Sequence, residues 1–160
     1  MFRQEGVLQE APQQIPLLRQ SVSCGPGQQW EDGDAIESYI DITGFVPALR
    51  TAKVYAFPVH GMSMIGAGIS SGDIVLLDGT QREGLDDDIY VFAWNGSVYC
   101  KLLKFDSFSR KVQIYSVHSS ELEKAELLKS LDADDPQLAE NFHIFGKVLA
   151  WIHENRLMSR

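Results

Sequence analysis

The feature that most limits the fold is an Asn-Gly pair between two runs of β-forming residues, in the stretch DIYVFAWNGSVYCKLLKF. A two-residue hairpin of type I′ needs positive φ at both central positions, which Asn and Gly tolerate best. The pair Asn95-Gly96 therefore predicts a tight antiparallel hairpin. Together with similar runs elsewhere, it indicates a chain built from strands rather than helices.

Runs of β-branched and aromatic residues predict strands near 73–78, 88–94, 97–104 and 112–117. The stretches ESYIDITGFV and KVYAFPV continue the pattern, and FHIFGKVLAWIHENRL reads as a closing apolar strand. The segment between Glu121 and Asn141 stays open. Its ELEKAELLKSL has helical spacing, yet it lies where an all-β chain can carry a long connection.

Length predicts a single compact domain with a loose end, because 160 residues suffice for one core and are too few for two full-sized ones. Residues 1–36 are polar, or broken by Gly and Pro, and are expected to form a flexible arm or linker. Residues 37–160 are expected to form the β-rich domain.

The charge balance argues against a DNA-binding face in this chain. Its formal net charge is −8, and its 14 Lys and Arg residues are scattered rather than clustered. No apolar run approaches the roughly 20 residues that span a bilayer, and the N-terminus lacks the apolar centre of a signal peptide. We therefore expect a cytoplasmic protein without a membrane partner.

The cysteines and histidines indicate neither a disulfide framework nor a metal site. Cys24 and Cys100 form no CxxC motif and are expected to remain thiols in a reducing compartment. The four histidines lack the spacing of zinc ligands. No metal or cofactor is expected.

The stretch HGMSMIGAGISSGDIVLL offers two interpretations of Ser63. In one, Gly61 allows a tight turn and Ser63 caps the short helix that follows. In the other, Ser63 is a nucleophile, which requires a neighbouring base. Lys101 can be that base if burial lowers its pKa, although a lysine in a strand is also a common edge charge that prevents sheets from pairing.

Four segments resemble the LexA-like autoproteolytic domains of peptidase type S24, which include LexA, UmuD and the C-terminal halves of phage-type repressors. The segments are GMSM, GISSGDIVLLD, DDDIYVFAWNGSVYCKLL and IFGKVLAW, and the resemblance covers roughly residues 15–152. Their order and the 38-residue interval from Ser63 to Lys101 are similar to the family's arrangement. The resemblance implies a LexA/signal-peptidase-like β-domain with an N-terminal cleavage arm.

The same resemblance implies the chemistry. Ser63 would be the nucleophile, Lys101 its base, and the backbone amides of Met62 and Ser63 the oxyanion donors. Family members cut their own chain at an Ala-Gly or Cys-Gly bond some thirty-odd residues before the serine, which here implies the bond Cys24-Gly25. Cys24 can also be read simply as a small residue of a linker.

Two residues depart from the family's pattern. Pro26 follows the implied cleavage bond, and His60 precedes Gly61 where a small residue is expected. Both departures bear on how efficiently the bond is cut, and neither bears on the fold.

The resemblance also implies partners. A RecA-type filament on single-stranded DNA would trigger cleavage in the DNA-damage (SOS) response, and DNA would be bound only through a separate helix-turn-helix domain, because too few residues precede IPLL to form one. We expect the self-cleaving domain of a repressor, which the hinge-like EAPQQIPLLRQSVSCGPG favours. A stand-alone UmuD-like protein serving a translesion polymerase and a non-cleaving dimerisation module are the alternatives.

A homodimer through the β-domain is expected, because the closing strand is too apolar for one half-buried strand. The other interpretation is a strand buried on both faces within the monomer. The apolar residues concerned are Phe142, Ile144, Phe145, Val148, Leu149, Trp151 and Ile152.

Overall fold

The computed structural model describes residues 14–18, 22–24, 28–29, 36–41, 53–80 and 86–153. These residues form eleven strands: β1 Gln14–Leu18, β2 Val22–Ser23, β3 Gln28–Gln29, β4 Ile36–Asp41, β5 Val54–His60, β6 Ile74–Asp78, β7 Asp88–Trp94, β8 Ser97–Asp106, β9 Lys111–Ser116, β10 Glu126–Asp132 and β11 Phe142–Ile152. A short α-helix, α1 Pro136–Asn141, precedes β11, and 3₁₀ turns lie at Ile65–Ala67 and Leu122–Lys124. Within these ranges no helix is long and apolar enough to cross a bilayer.

The strands form one sheet in the order β10-β9-β8-β7-β11-β6-β5-β1-β4. Most neighbours are antiparallel, whereas β1 and β5 are parallel. The predicted mainly β fold is confirmed. The predicted hairpin is also present, with φ of 50° at Asn95 and 78° at Gly96 between β7 and β8.

The sheet curls so that two strands distant in its order come close together. β5 and β8 are separated by three strands in the order, yet the two-residue strand β2 pairs in parallel with both of them. One strand can reach both only if the sheet bends back on itself. The curl therefore brings the end of β5 next to the middle of β8.

Two clusters of buried side chains hold this curl. The larger one fills the inside of the curl and draws on β5, β6, β7, β8 and β11. A smaller cluster around Tyr90 and Phe92 packs β7, β8 and β9 on the other side. Alternation of buried and half-buried positions in β9 follows from the two-residue period of a strand.

The four strands predicted near 73–78, 88–94, 97–104 and 112–117 are present as β6, β7, β8 and β9, within a few residues at each end. The segment left open between Glu121 and Asn141 contains both a strand and short helical pieces, and most of its ELEKAELLKSL stretch is strand or extended rather than α-helix. It contains β10, which pairs with β9, and helix formation is confined to α1 and one 3₁₀ turn. Pairing with the edge of β9 outweighs the helical spacing of ELEKAELLKSL.

Parts of the predicted flexible arm are strands of the sheet. β1 pairs with β4 and β5, β2 pairs with β5 and β8, and β3 pairs with β8. This differs from an arm lacking regular structure, because edges of the curled sheet offer it hydrogen-bond partners. The division of the chain at residue 36 stays a prediction.

The closing strand is not buried on both faces along its whole length. Val148 is buried and three of the apolar residues in it are half-buried, but Leu149, Trp151 and Ile152 are exposed. This end of β11 therefore presents apolar side chains to the solvent.

A glycine in β11 sets how closely this strand approaches β6. A Cβ on Gly146 would lie 2.1 Å from the carbonyl oxygen of Asp78, and the register of β11 shifts next to this residue. We expect Gly146→Ala to lower the free energy of unfolding by about 1–3 kcal/mol, because β6 and β11 must separate to admit the methyl group. Thermal unfolding followed by circular dichroism measures the loss. His143→Ala, at an exposed position of the same strand, is the control, and an equal loss in both variants would contradict this account of Gly146.

Candidate active site

Ser63 lies in the turn that follows β5. Gly61 has φ of 98°, which a residue with a side chain adopts only under strain, and the 3₁₀ turn Ile65–Ala67 comes directly after. The N-cap of that turn is Met64, with no side-chain capping bond. The interpretation of Ser63 as a helix cap is therefore wrong, and its hydroxyl is available for another partner.

Buried anchors and backbone hydrogen bonds fix this turn. The side chains of Met64 and Ile69 are fully buried in the larger cluster. The carbonyl of Ser63 accepts a hydrogen bond from the amide of Val117 at 2.8 Å, and the carbonyl of Val117 accepts one from the amide of Gly66 at 2.8 Å. The turn is thus tied at two points to the segment that follows β9.

A buried carboxylate supports the far end of the same loop. Asp73 is 1% exposed, and its carboxylate accepts a hydrogen bond from the amide of Ser70 at 2.8 Å and contacts Nδ1 of His153 at 2.5 Å. The amide of Val59 in β5 donates to the carbonyl of Asp73 at 2.8 Å. The loop is therefore closed where it leaves β5 and where it enters β6.

Lys101 lies in the interior of the sheet. β8 pairs with β7 on one side and β9 on the other, and Lys101 is 2% exposed. The interpretation of Lys101 as an edge-strand charge is therefore wrong. Its Nζ contacts Oγ of Ser63, and it also donates a hydrogen bond to Oγ of Ser116 at 3.1 Å.

The surroundings of Lys101 lower its pKa. Burial is the main cause, because removal from water disfavours the charged ammonium. Cys24, Cys100 and Glu126 act in the opposite direction, since negative charge on these groups would stabilise the ammonium. The net effect brings a neutral amine closer to physiological pH than in a free lysine.

Cys24 is docked against both elements that carry these residues. Its side chain is fully buried, and its amide donates to the carbonyl of His60 at 2.7 Å. Its own carbonyl accepts a hydrogen bond from the amide of Ser63 at 2.6 Å. The resemblance implies that the Cys24 carbonyl is the point of cleavage and that the Ser63 amide is one of two oxyanion donors. These two groups are hydrogen-bonded to each other in the structure.

The structure says less about the other residues that the resemblance singles out. Among the described residues, Ser63 alone has an amide bonded to the Cys24 carbonyl, so a role of the Met62 amide stays a prediction. Gly25 and Pro26 lie outside the described residues. His60 is exposed and contacts Cys24 through its carbonyl.

Ser116 was not singled out from the sequence, although it belongs to the same cluster of side chains. It is 2% exposed and lies at the end of β9, where Val112 and Ile114 share its face. A serine at a core-facing position of an alternating strand is the signal that could have found it, because a buried hydroxyl needs a hydrogen-bond partner. Here that partner is Lys101.

Residues 16–149 match the family model described as Peptidase S24-like. The chain belongs to the Peptidase S24-like family. No curated protein sequence matches it. The S24 match covers Ser63, Lys101, Ser116 and Cys24, and it confirms the resemblance seen in the sequence. The family is one of serine peptidases and self-cleaving proteins in general.

The lowered pKa of Lys101 predicts how the stability of this S24 domain depends on pH. The unfolded chain binds the Lys101 proton more tightly than the folded one, because burial lowers the folded pKa below the ordinary 10.5. Stability contributed by this residue therefore rises as the pH increases from the folded pKa toward 10.5. Lys101→Met removes this titration, so wild type should gain stability relative to the variant between pH 7 and pH 10.

Thermal unfolding of wild type and Lys101→Met at several pH values measures the change. Lys104→Met, at a half-buried position of the same strand, is the matched control for the loss of a lysine from β8. A difference between wild type and Lys101→Met that stays constant with pH would show that burial does not perturb Lys101.

Proposed function

We propose that this protein is a serine peptidase that cuts its own chain between Cys24 and Gly25, with Ser63 as nucleophile and Lys101 as general base. The observation that carries the proposal is the docking of the Cys24 carbonyl on the Ser63 amide, at 2.6 Å, while Lys101 Nζ contacts Ser63 Oγ. Substrate carbonyl, nucleophile and base thus come together in one chain. Membership of the S24 family supports the reaction class.

The reaction is an acyl transfer. Neutral Lys101 accepts the proton of the Ser63 hydroxyl, and the Ser63 oxygen attacks the carbonyl carbon of Cys24. The Ser63 amide donates a hydrogen bond to the oxygen as negative charge develops on it. Lys101 then returns the proton to the departing nitrogen of Gly25, and water hydrolyses the ester between Cys24 and Ser63.

Ser116 acts as a positioning residue for the base. Lys101 has a long side chain with many rotamers, and the hydrogen bond of 3.1 Å to Ser116 restricts Nζ to the side facing Ser63. This contact also gives the neutral amine a partner for one of its N–H groups. The lone pair then remains available for the Ser63 proton.

Two features make the reaction a switch rather than a constant activity. On either side of Cys24 the arm pairs with the sheet through β2 and β3, which are strands of only two residues each, so few backbone hydrogen bonds next to Cys24 keep it docked. Lys101 must also lose its proton. A RecA-type filament on single-stranded DNA would trigger cleavage by binding preferentially to the state in which the arm is docked and Lys101 is neutral. A ligand that prefers one of two states raises the population of that state.

We propose that cleavage ends the action of a LexA or phage-type repressor after DNA damage. The net charge of −8 supports a separate helix-turn-helix domain as the DNA-binding part. The second candidate is a UmuD-like accessory protein of a translesion polymerase. It is favoured by β1, because Gln14–Leu18, part of the hinge-like segment, is a strand of the sheet. The reading frame upstream of Met1 distinguishes them, since only the repressor needs a helix-turn-helix there.

Purified protein is expected to cut itself slowly at pH 7 and faster as the pH rises. The rate should stop rising once Lys101 is fully deprotonated, which happens at a lower pH than for a lysine with the ordinary pKa of 10.5. Mass spectrometry across a pH series measures both the rate and the bond. A large fragment that begins at Gly25 is the expected product. Fragments at another bond, or a chain that stays intact for days at pH 10, would contradict the assignment.

Ser63→Ala and Lys101→Ala should each stop detectable cleavage, and the double variant should be no slower, because nucleophile and base act as a unit. Loss of the base alone corresponds to roughly 10²–10⁴-fold in rate. Ser116→Ala should slow cleavage by about tenfold to a hundredfold and shift the midpoint of the pH profile, whereas Ser116→Thr should restore both.

Lys104→Ala and Ser120→Ala are the matched controls, because each has the same residue type outside the cluster. Both should cut at the wild-type rate. Cleavage of Lys101→Ala at the wild-type rate would show that another group is the base.

We propose further that the protein is a homodimer that forms through β11. Three apolar side chains within the last four residues of this strand, Leu149, Trp151 and Ile152, are exposed. Apolar side chains at this density on a surface favour a protein partner. A two-fold pair would suit a repressor that reads a palindromic site.

Leu149→Asp should convert the dimer to a monomer, since a carboxylate at the centre of an apolar contact would be left without water or a partner. Light scattering at tens of micromolar measures the mass of wild type, of the variant and of a chain starting at Gly25. Phe108→Asp is the control, because Phe108 is exposed in the turn between β8 and β9. A monomeric wild type would contradict the dimer, and a dimer lost only in the shortened chain would move the interface to the arm.

A further inference from the structure

The two cysteines of the chain occupy neighbouring positions on adjacent strands. Ser23 of β2 is paired in parallel with Tyr99 of β8, so the next residues, Cys24 and Cys100, lie side by side. Strands in a sheet are about 4.8 Å apart. A disulfide requires Cα atoms roughly 4.4–6.8 Å apart, so the register suits one.

The Cys24 thiol contacts Cys100 within the same apolar cluster. Sγ of Cys24 lies 3.7 Å from the carbonyl oxygen of Cys100, and both side chains are fully buried there. A hydrogen bond between the two side chains is the main cause of a lowered pKa at Cys24 and a raised pKa at Cys100. Burial adds to the rise at Cys100, and Lys101 lowers the pKa of both.

We propose that Cys24 and Cys100 form a redox modification site, in which a reversible disulfide ties the arm to β8. The proposed catalytic chemistry uses neither thiol. It uses the carbonyl of Cys24 and the amine of Lys101, which flank the thiols. Covalent linkage of the thiols would therefore act on the arm without consuming a catalytic group.

The oxidant in this proposal is a peroxide. The Cys24 thiol loses its proton to the solvent, and the thiolate attacks one peroxide oxygen. The O–O bond breaks, the sulfenic acid and a hydroxide ion form, and the hydroxide takes a proton from the solvent to become water. The thiol of Cys100 then attacks the sulfenic sulfur, its proton leaves with the hydroxyl group as a second water, and the S–S bond forms. When the modified arm docks again, the sulfenic sulfur of Cys24 lies next to Cys100. Because both sulfurs are fully buried with the arm docked, peroxide meets Cys24 when the arm is off the sheet.

The disulfide has a consequence that rests on the proposed self-cleavage. Cys24 is the last residue of the N-terminal fragment, so a disulfide to Cys100 keeps that fragment attached after the peptide bond is cut. The oxidised protein would thus retain its arm, whereas the reduced protein can release it. Under this proposal peroxide delays the separation that makes cleavage a switch.

The disulfide itself is tested on the full-length Ser63→Ala chain, in which cleavage plays no part. The chain is treated with hydrogen peroxide, unfolded, labelled with a maleimide and digested for mass spectrometry. We expect both labels to be lost, a peptide containing Cys24 to be joined to one containing Cys100, and both labels to return with dithiothreitol. In a Ser63→Ala, Cys100→Ser control, oxidation should give no link within the chain. Full labelling after peroxide, a sulfinic acid at Cys24 beside a free Cys100, or a link only between two chains would overturn the proposal.

The retained fragment is tested on wild type that has been oxidised, freed of peroxide and brought to alkaline pH. On a gel, the fragment ending at Cys24 should stay with the body without reductant and separate with it. Separation without reductant in a sample shown to be oxidised would overturn the retention. If a sample that was never oxidised gives no fragments even with reductant, the proposed self-cleavage has failed. The peptide map of the Ser63→Ala chain then still shows whether the disulfide forms.

Discussion

The burial of Lys101 is the constraint on which the rest of the site depends. A lysine that is 2% exposed in the middle of a sheet is costly as a cation, so its neighbours must offer hydrogen-bond partners to an amine. The hydroxyl groups of Ser63 and Ser116 are these hydrogen-bond partners. The same burial that disfavours the charged ammonium leaves more of the amine neutral, and so able to accept the Ser63 proton, near physiological pH. Burial of Lys101 therefore both destabilises the fold and enables the proposed catalysis.

The curl of the sheet brings this base to its nucleophile. Ser63 follows β5 and Lys101 lies on β8, and these strands are not neighbours in the order of the sheet. They meet because the larger buried cluster closes the curl, and β2 pairs with both strands across the gap. The arm is therefore part of the structure that it is proposed to leave. Cleavage would separate two strands, β1 and β2, from the rest of the sheet.

Local signals were enough to predict most of the strands, whereas the site needed more than local signals. Asn95-Gly96 fixes a hairpin because its backbone preference is intrinsic, and the apolar runs mark β6 to β9. The contact between Ser63 and Lys101 spans 38 residues. The residues alone offered Lys101 as one possible base, and the resemblance to a family is what favoured that interpretation. Ser116 was missed because its burial depends on its alignment with β8, and β10 was left open because pairing with an edge overrides helical spacing.

The docking of the Cys24 carbonyl on the Ser63 amide can be observed in a crystal structure of the full-length Ser63→Ala chain at alkaline pH. The backbone of this variant is intact and its cleavage bond cannot be cut, so the arm can be observed in place. The account predicts the Cys24 carbonyl oxygen within hydrogen-bond distance of the amide of residue 63, near the 2.6 Å found here, and Lys101 Nζ on Ser116. A Cys24 carbonyl remote from that amide, with its cleft empty or filled by the arm of another chain, would contradict it.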